Sequence, residues 1–302
     1  MAATNSTVDQ AHAAAAFVIW HSLYVRELEL ALQSIDSTVF VPYWDWTIDG
    51  ESTTPTNSII FTEDYFGSSE NAKNSYIVTN GRLAKWPIST SPLDYINWSS
   101  PEGYLRSKNN YNAGPYITRY VGNGGKARLP YSSEFNACIS GPQIYGDFWP
   151  CIWGTGNKQT VIHAGVHQFG GGQWTPSSIS LGLHLRDNTH NNNNNNTAST
   201  VEATGDMMDP ITSPNDPLFF SHHANLDRLY YNWKIQIGDS LATVDDPCGT
   251  FYGGNTTNPQ PAGHNLNDVF TPPFYTFDGV TQLTLSSACY NMHTSRIQWK
   301  YE

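Results

Sequence analysis

At 302 residues the chain is long enough for one large domain or two small ones, with a sizeable buried core. Its formal charge of −11, without any basic stripe, argues against a nucleic-acid partner and would repel an anionic membrane surface. No apolar run reaches the roughly 18 residues a spanning helix needs, so no membrane partner is expected. Ten Trp, 17 Tyr and 13 Phe beside only 14% charged residues instead describe a compact, loop-rich body with an uncharged polar surface.

The first predicted element is a helix over Ala13–Gln33, where Phe17, Trp20, Tyr24, Leu28 and Leu32 recur at three- and four-residue steps. The run Val39-Phe40-Val41-Pro42-Tyr43-Trp44-Asp45-Trp46 follows, and its proline and aromatic density predict an extended segment packed into the core. From about Gly50 to Gly156, Gly, Pro, Asn and Ser punctuate short apolar pieces, which reads as long loops with scattered short strands and helices. Helical pattern resumes over Thr160–Phe169 and is expected to stop at Gly170-Gly171-Gly172. Asn191–Asn196 reads as a solvated surface loop. Asp216-Pro217 opens another helix, running through Leu218, Phe219, His222, His223, Leu226, Leu229, Tyr230 and Trp233. The last stretch, with Pro-Pro, Gly-Gly and Thr-Gln-Leu-Thr-Leu, predicts loops with a strand or two.

Four cysteines stand as two separated pairs, most simply disulfides Cys138 with Cys151 and Cys248 with Cys289; four buried thiols are the alternative. Glycosylation sequons at Asn5, Asn97, Asn195 and Asn255, taken with the cysteines, tilt the expected location to a secreted, extracellular glycoprotein. Met1–Ala16 lacks the basic and apolar regions of a signal peptide, so the N-terminus is expected to be processed or incomplete.

Histidines carry the chemistry. His163 and His167 are four apart on a helical segment, so both imidazoles share a face and could share a metal, although a solvated helix face gives the same spacing. Ala164-Gly165-Val166 between them disfavours a zinc hydrolase, which needs an acid next to the first histidine. His222-His223 lies in an aromatic-rich helix with Asn225, Asp227 and Arg228 close by. Adjacent helical residues diverge by about 100°, so one ring is expected to face the metal and the other a supporting group. His21 sits beside Phe17, Trp20 and Tyr24, with His12 just ahead of that helix. Such an all-imidazole set suits copper, zinc, iron or nickel, and spacing alone does not choose.

Phe17-Val18-Ile19-Trp20-His21, then Glu27, Glu29, Leu32 and Val41-Pro42-Tyr43-Trp44-Asp45-Trp46, resembles the first copper region of the type-3 copper proteins: tyrosinases, catechol oxidases and hemocyanins. Ser213-Pro214-Asn215-Asp216-Pro217-Leu218-Phe219-Phe220-Ser221-His222-His223-Ala224-Asn225-Leu226-Asp227-Arg228 is similar to the second-copper signature, and His163-Ala164-Gly165-Val166-His167 to the paired ligands of that copper. The resemblance covers about a third of the chain. It implies a mainly α fold, a four-helix bundle dicopper core with long loops and a few short strands. One such domain would fill 1–302, with the first copper region in 1–50, a loop-rich insertion in 51–156, the second copper region in 157–240 and a tail in 241–302. It also implies His12 and His21 as ligands of one copper and His163, His167 and His223 as ligands of the other. His222 becomes a neighbour, Phe219 packs on the His223 ring, and Asn225 and Asp227 support the ligands. O2 and a small phenol would be the partners, with o-diphenols oxidised to o-quinones and no catalytic residue needed beyond the metals.

Departures qualify this picture. The family's first histidine should precede His12 by more than a dozen residues, and only 11 stand there. Tyrosinases commonly carry Asn after the first ligand of the second copper and a Glu upstream; here those places hold Ala164 and Gln159, and a neutral amide is no base. Monophenol hydroxylation is therefore less expected than diphenol oxidation. No cysteine stands near His12 to form a thioether crosslink. The competing expectations are a structural or assembly-forming glycoprotein with incomplete copper loading, as a homo-oligomer, and an oxygen carrier.

Overall fold

A computed structural model describes residues 10–12, 14–69, 76–88, 115–154, 162–174, 203–210, 212–238, 264–270, 274–275 and 279–293. Asn5, Asn97, Asn195, Asn255, Cys248, Gln159 and the 191–196 asparagine run lie outside these residues. The fold is mainly helical. Seven α-helices are present among the described residues: α1 (Phe17–Gln33), α2 (Trp46–Gly50), α3 (Ser132–Ser140), α4 (Tyr145–Trp153), α5 (Ala164–Gly171), α6 (Leu218–Ile237) and α7 (Leu285–His293). Strands β1 (Gln173–Trp174) and β2 (Ala203–Thr204) pair antiparallel.

Two compact units emerge, one from residues 1–51, 130–164 and 220–302, the other from 52–129 and 165–219. In the first, aromatic burial joins the helices: Phe148 stacks on Trp233 at 4.4 Å, and Tyr145 and Tyr230 meet at 5.9 Å. Each such fully buried ring contributes on the order of 1.5–3 kcal/mol. Polar ties fix the directions. Ser22 on α1 donates to the buried Asp227 of α6, and Arg228 pairs with Asp45 at 2.9 Å while its guanidinium lies 4.6 Å from the Tyr43 ring centroid. The buried Tyr145 hydroxyl donates to Ala15 O at 2.6 Å, and the Ala16 amide donates to Nδ1 of the buried His264 at 3.1 Å. His264 Nδ1 therefore carries a lone pair.

The second unit combines most of α5 with short 3-10 turns, isolated bridges and the β1–β2 strand pair. Its anchor is a fully buried ion pair, Arg119 Nε to Asp216 Oδ2 at 2.5 Å. The other guanidinium nitrogens reach Asp216 Oδ1 and the carbonyls of Phe66 and Gly67, so neither charge is left uncompensated. Asp216 Oδ1 also accepts from the Leu218 amide at 3.0 Å, capping the start of α6.

Several boundaries differ from expectation. α1 begins at Phe17 rather than Ala13, and α6 at Leu218, after Pro217. The apolar stripe of α1 is buried only over its first half: Leu32 is 38% exposed. In the 39–46 run Trp44 and Trp46 are buried but Phe40 is 70% exposed, so the tryptophans alone pack into the core. The tail carries α7, a helix the composition did not predict, started by a reciprocal cap: Thr284 N to Ser287 Oγ at 2.8 Å and Ser287 N to Thr284 Oγ1 at 3.1 Å. Cys138 and Cys151 form a disulfide joining α3 to α4, and Cys289 on α7 is also disulfide-bonded.

Candidate metal centre

α6 and the turn before α5 bring histidines together. Nitrogens of His163, His222 and His223 lie within 4.8 Å of one another, and all three residues are buried. His163 precedes the first helical residue of α5, and His167 follows it four residues later in the chain, on α5 itself. The His222 and His223 rings are 4.8 Å apart, so the angular offset of neighbouring helix positions does not separate them: long side chains lean to the same side. His163 stacks on His222 at 5.6 Å, and His222 also faces Trp46 at 6.4 Å.

The first-region histidines reach the same neighbourhood of the first unit. His21, buried on α1, stacks on His223 with centroids 4.0 Å apart and planes 10° from parallel. His12, half-buried in the irregular segment ahead of α1, has its ring 5.8 Å from His21. Phe17 fills the space among them, 4.9 Å from His21 and 4.6 Å from His163.

Tautomers follow from partners. His21 Nδ1 lies 2.9 Å from Phe17 O, and His167 Nδ1 lies 2.6 Å from Met207 O. A carbonyl only accepts, so each Nδ1 carries the proton and each Nε2 keeps its lone pair for a metal. The Met207 carbonyl is itself held in place. The buried Asp206 next to it accepts from Thr118 N at 2.9 Å and Asn215 Nδ2 at 3.4 Å. Glycines allow the approach: a Cβ on Gly171 would collide with the Met208 amide, and one on Gly205 with Gly171 O. The glycine run thus does more than end α5, which extends through Gly171 before Gly172 turns at φ +66.

The expected supporting residues sit as follows. Phe219 lies beside the His167 ring at 6.1 Å. Asp227 acts through Ser22, the residue after His21, and Asn225 Oδ1 accepts from Arg228 at 3.0 Å. Burial pushes the Tyr230 phenol far above its ordinary 10.0, with the charge of Asp227 adding to the effect, so it stays neutral. Sequence reasoning passed over Asp206, Met207, Arg119 and Trp153, whose roles depend on contacts between distant segments.

The donor set fits copper: the clustered groups are all imidazoles, buried among aromatic rings, with no carboxylate or thiolate in the group among the described residues. Comparison with known proteins agrees. Residues 1–236 match the common central domain of tyrosinase. A Streptomyces lincolnensis tyrosinase is 28% identical over 78% of this chain and 68% of its own length, and a Bos taurus tyrosinase is 27% identical over 75% and 38%. The chain thus spans about two thirds of that bacterial relative and well under half of the bovine one. Among solved structures, a Thermothelomyces thermophila polyphenol oxidase variant aligns with a TM-score of 0.54 at 18% identity, covering 93% of this chain and 71% of that one. A Burkholderia thailandensis tyrosinase aligns with a TM-score of 0.52 at 19% identity, covering 96% and 60%. With the domain match spanning both histidine regions, the chain belongs to the tyrosinase family of type-3 copper proteins.

Proposed function

We propose that this protein oxidises o-diphenols to o-quinones with O2 at a pair of copper ions. Its supporting observation is the buried imidazole cluster of His163, His222 and His223, with His167 one turn away and His21 stacked on His223. His163, His167 and His223 would hold one copper, and His12 and His21 would contribute to the other. Bound copper supplies a reversible one-electron couple per ion and a binding place for O2. The balanced reaction takes two diphenols and one O2 to two o-quinones and two waters, each diphenol giving up two electrons and two protons.

The chain's own part is to hold neutral imidazoles and keep water out. Phe17 and Phe219 wall the histidines with apolar rings, and Nδ1–H groups pinned to backbone carbonyls keep His21 and His167 from rotating. Diphenols are favoured over monophenols because Ala164, the residue after His163, offers no group to orient a water or take a phenol proton. Extracellular location is part of this proposal, supported by the Cys138–Cys151 disulfide; a glycosidase-sensitive mass shift in secreted protein checks it.

The test is reconstitution with copper in air, followed by catechol. Oxygen uptake with quinone absorption is expected, and tyramine should turn over far more slowly. A protein binding fewer than one copper per chain would instead favour the structural reading, which the pair of first-region imidazoles motivates. A near-ultraviolet oxygen-dependent band without catechol turnover would favour an oxygen carrier.

A further inference from the structure

The last turn of α4 touches His163 twice. The His163 amide donates to Ile152 O at 3.2 Å, and the Trp153 indole stacks on the His163 ring with centroids 5.0 Å apart and planes 26° from parallel. The same indole meets Phe17 at 5.0 Å and His12 at 6.1 Å. His163 is buried while Trp153 is half-buried, so the indole forms the outer cover of that ring.

This turn is not self-supporting. Pro150 sits inside α4, where it removes a backbone donor and crowds the preceding turn. Gly154, left-handed at φ 92, ends the helix immediately after Trp153. Between the proline and the tryptophan stands Cys151, bonded to Cys138 on α3. The covalent link therefore falls where the helix is weakest, one residue before the carbonyl and two before the ring that hold His163.

We propose that Trp153, kept in place by the Cys138–Cys151 disulfide, is the positioning residue for His163, so that metal retention at this ring depends on that disulfide being formed. The inference rests on the reading of His163 as a copper ligand. Reduction by two equivalents of a small thiol transfers two electrons and two protons to the sulfur pair, giving two free cysteine thiols and one small-molecule disulfide, and would release the last turn of α4 from α3.

The experiment measures the rate at which copper-loaded protein releases metal to a chelator. Serine replacement of both Cys138 and Cys151 avoids exposing copper to a reductant. Trp153→Ala and the Cys138→Ser/Cys151→Ser pair should each release copper about ten-fold faster than wild type, in the range found for outer-shell supports of metal ligands. Trp153→Phe, which keeps a stacking ring, should recover most of the loss. Combining Trp153→Ala with the serine pair should add little, because both act through one contact. Wild-type release from Trp153→Ala, no rescue by Phe, or effects that multiply would overturn the inference. If the serine pair does not fold, the Ala and Phe variants decide alone. Wild-type protein that takes up no copper, or His163→Ala that retains a full complement, sinks the ligand reading itself and the inference with it.

Discussion

The two histidine regions are built to different standards. His163 and His223 are buried, and His167, on α5, has its tautomer set by a carbonyl that Asp206, Thr118 and Asn215 hold in place. α6 starts from an aspartate locked to Arg119. In the first region His21 is comparably fixed on α1, but His12 is half-buried in an irregular segment. A metal-binding ring is rigid only when its backbone and its other nitrogen are both constrained. One ring in each region, His167 and His21, has both constraints; the second region differs in that His163, His167 and His223 are all buried, whereas His12 of the first is half-buried.

The largest expected effect tests this asymmetry directly. His223→Ala should remove copper from the second site, measured as metal per chain after dialysis, whereas His12→Ala should change stoichiometry least of the histidine variants. Retained stoichiometric metal in His223→Ala would show that its ring is not a ligand.

Next comes the support beneath α6. Arg119→Met leaves Asp216 buried and unpaired, and breaking such a pair costs roughly 3–5 kcal/mol. The denaturation midpoint should fall accordingly; loss below about 1 kcal/mol would mean the pair contributes little to the second region. Gly171→Ala should cost about 1–3 kcal/mol through the clash with the Met208 amide, and should loosen copper more than an equally destabilising change in α3. Equal copper loss from both would reduce the glycine run to a helix stop.

The smallest effect concerns the α6 interior. The Tyr230 hydroxyl is buried with no hydrogen-bond partner among the described residues, so Tyr230→Phe should be neutral or slightly stabilising at pH 7. Its raised pKa also has a pH consequence. Above pH 10.0, the ordinary value, the unfolded phenol loses its proton while the folded one keeps it, so the folded state binds more protons and stability falls as pH rises. Tyr24 and Tyr145 are raised by burial in the same sense. Denaturation midpoints between pH 9 and about 11 should therefore decline, and less steeply in Tyr230→Phe.

Much of the second region could be read before folding, because its information is local. The four-residue step of His163 and His167, the run around His222-His223 and the proline ahead of α6 each act over one or two helical turns. What escaped was equally particular. The Thr284–Ser287 cap passed unread because the helix it starts lacks an apolar period. The stripe through Leu28 and Leu32 was regular, yet nothing in a periodicity states where burial stops.

By itself, the sequence pointed to the helical character through its periodicity, offered Cys138 with Cys151 as the simplest pairing against four buried thiols, and implied the imidazole donor set through its resemblance to the type-3 copper proteins. Only the tertiary structure decided which ring stacks on which, that the Met207 carbonyl sets the tautomer of His167, and that Trp153 covers His163. Those contacts join residues that chain order leaves far apart, and their geometry exists only once backbone packing has closed the intervening loops.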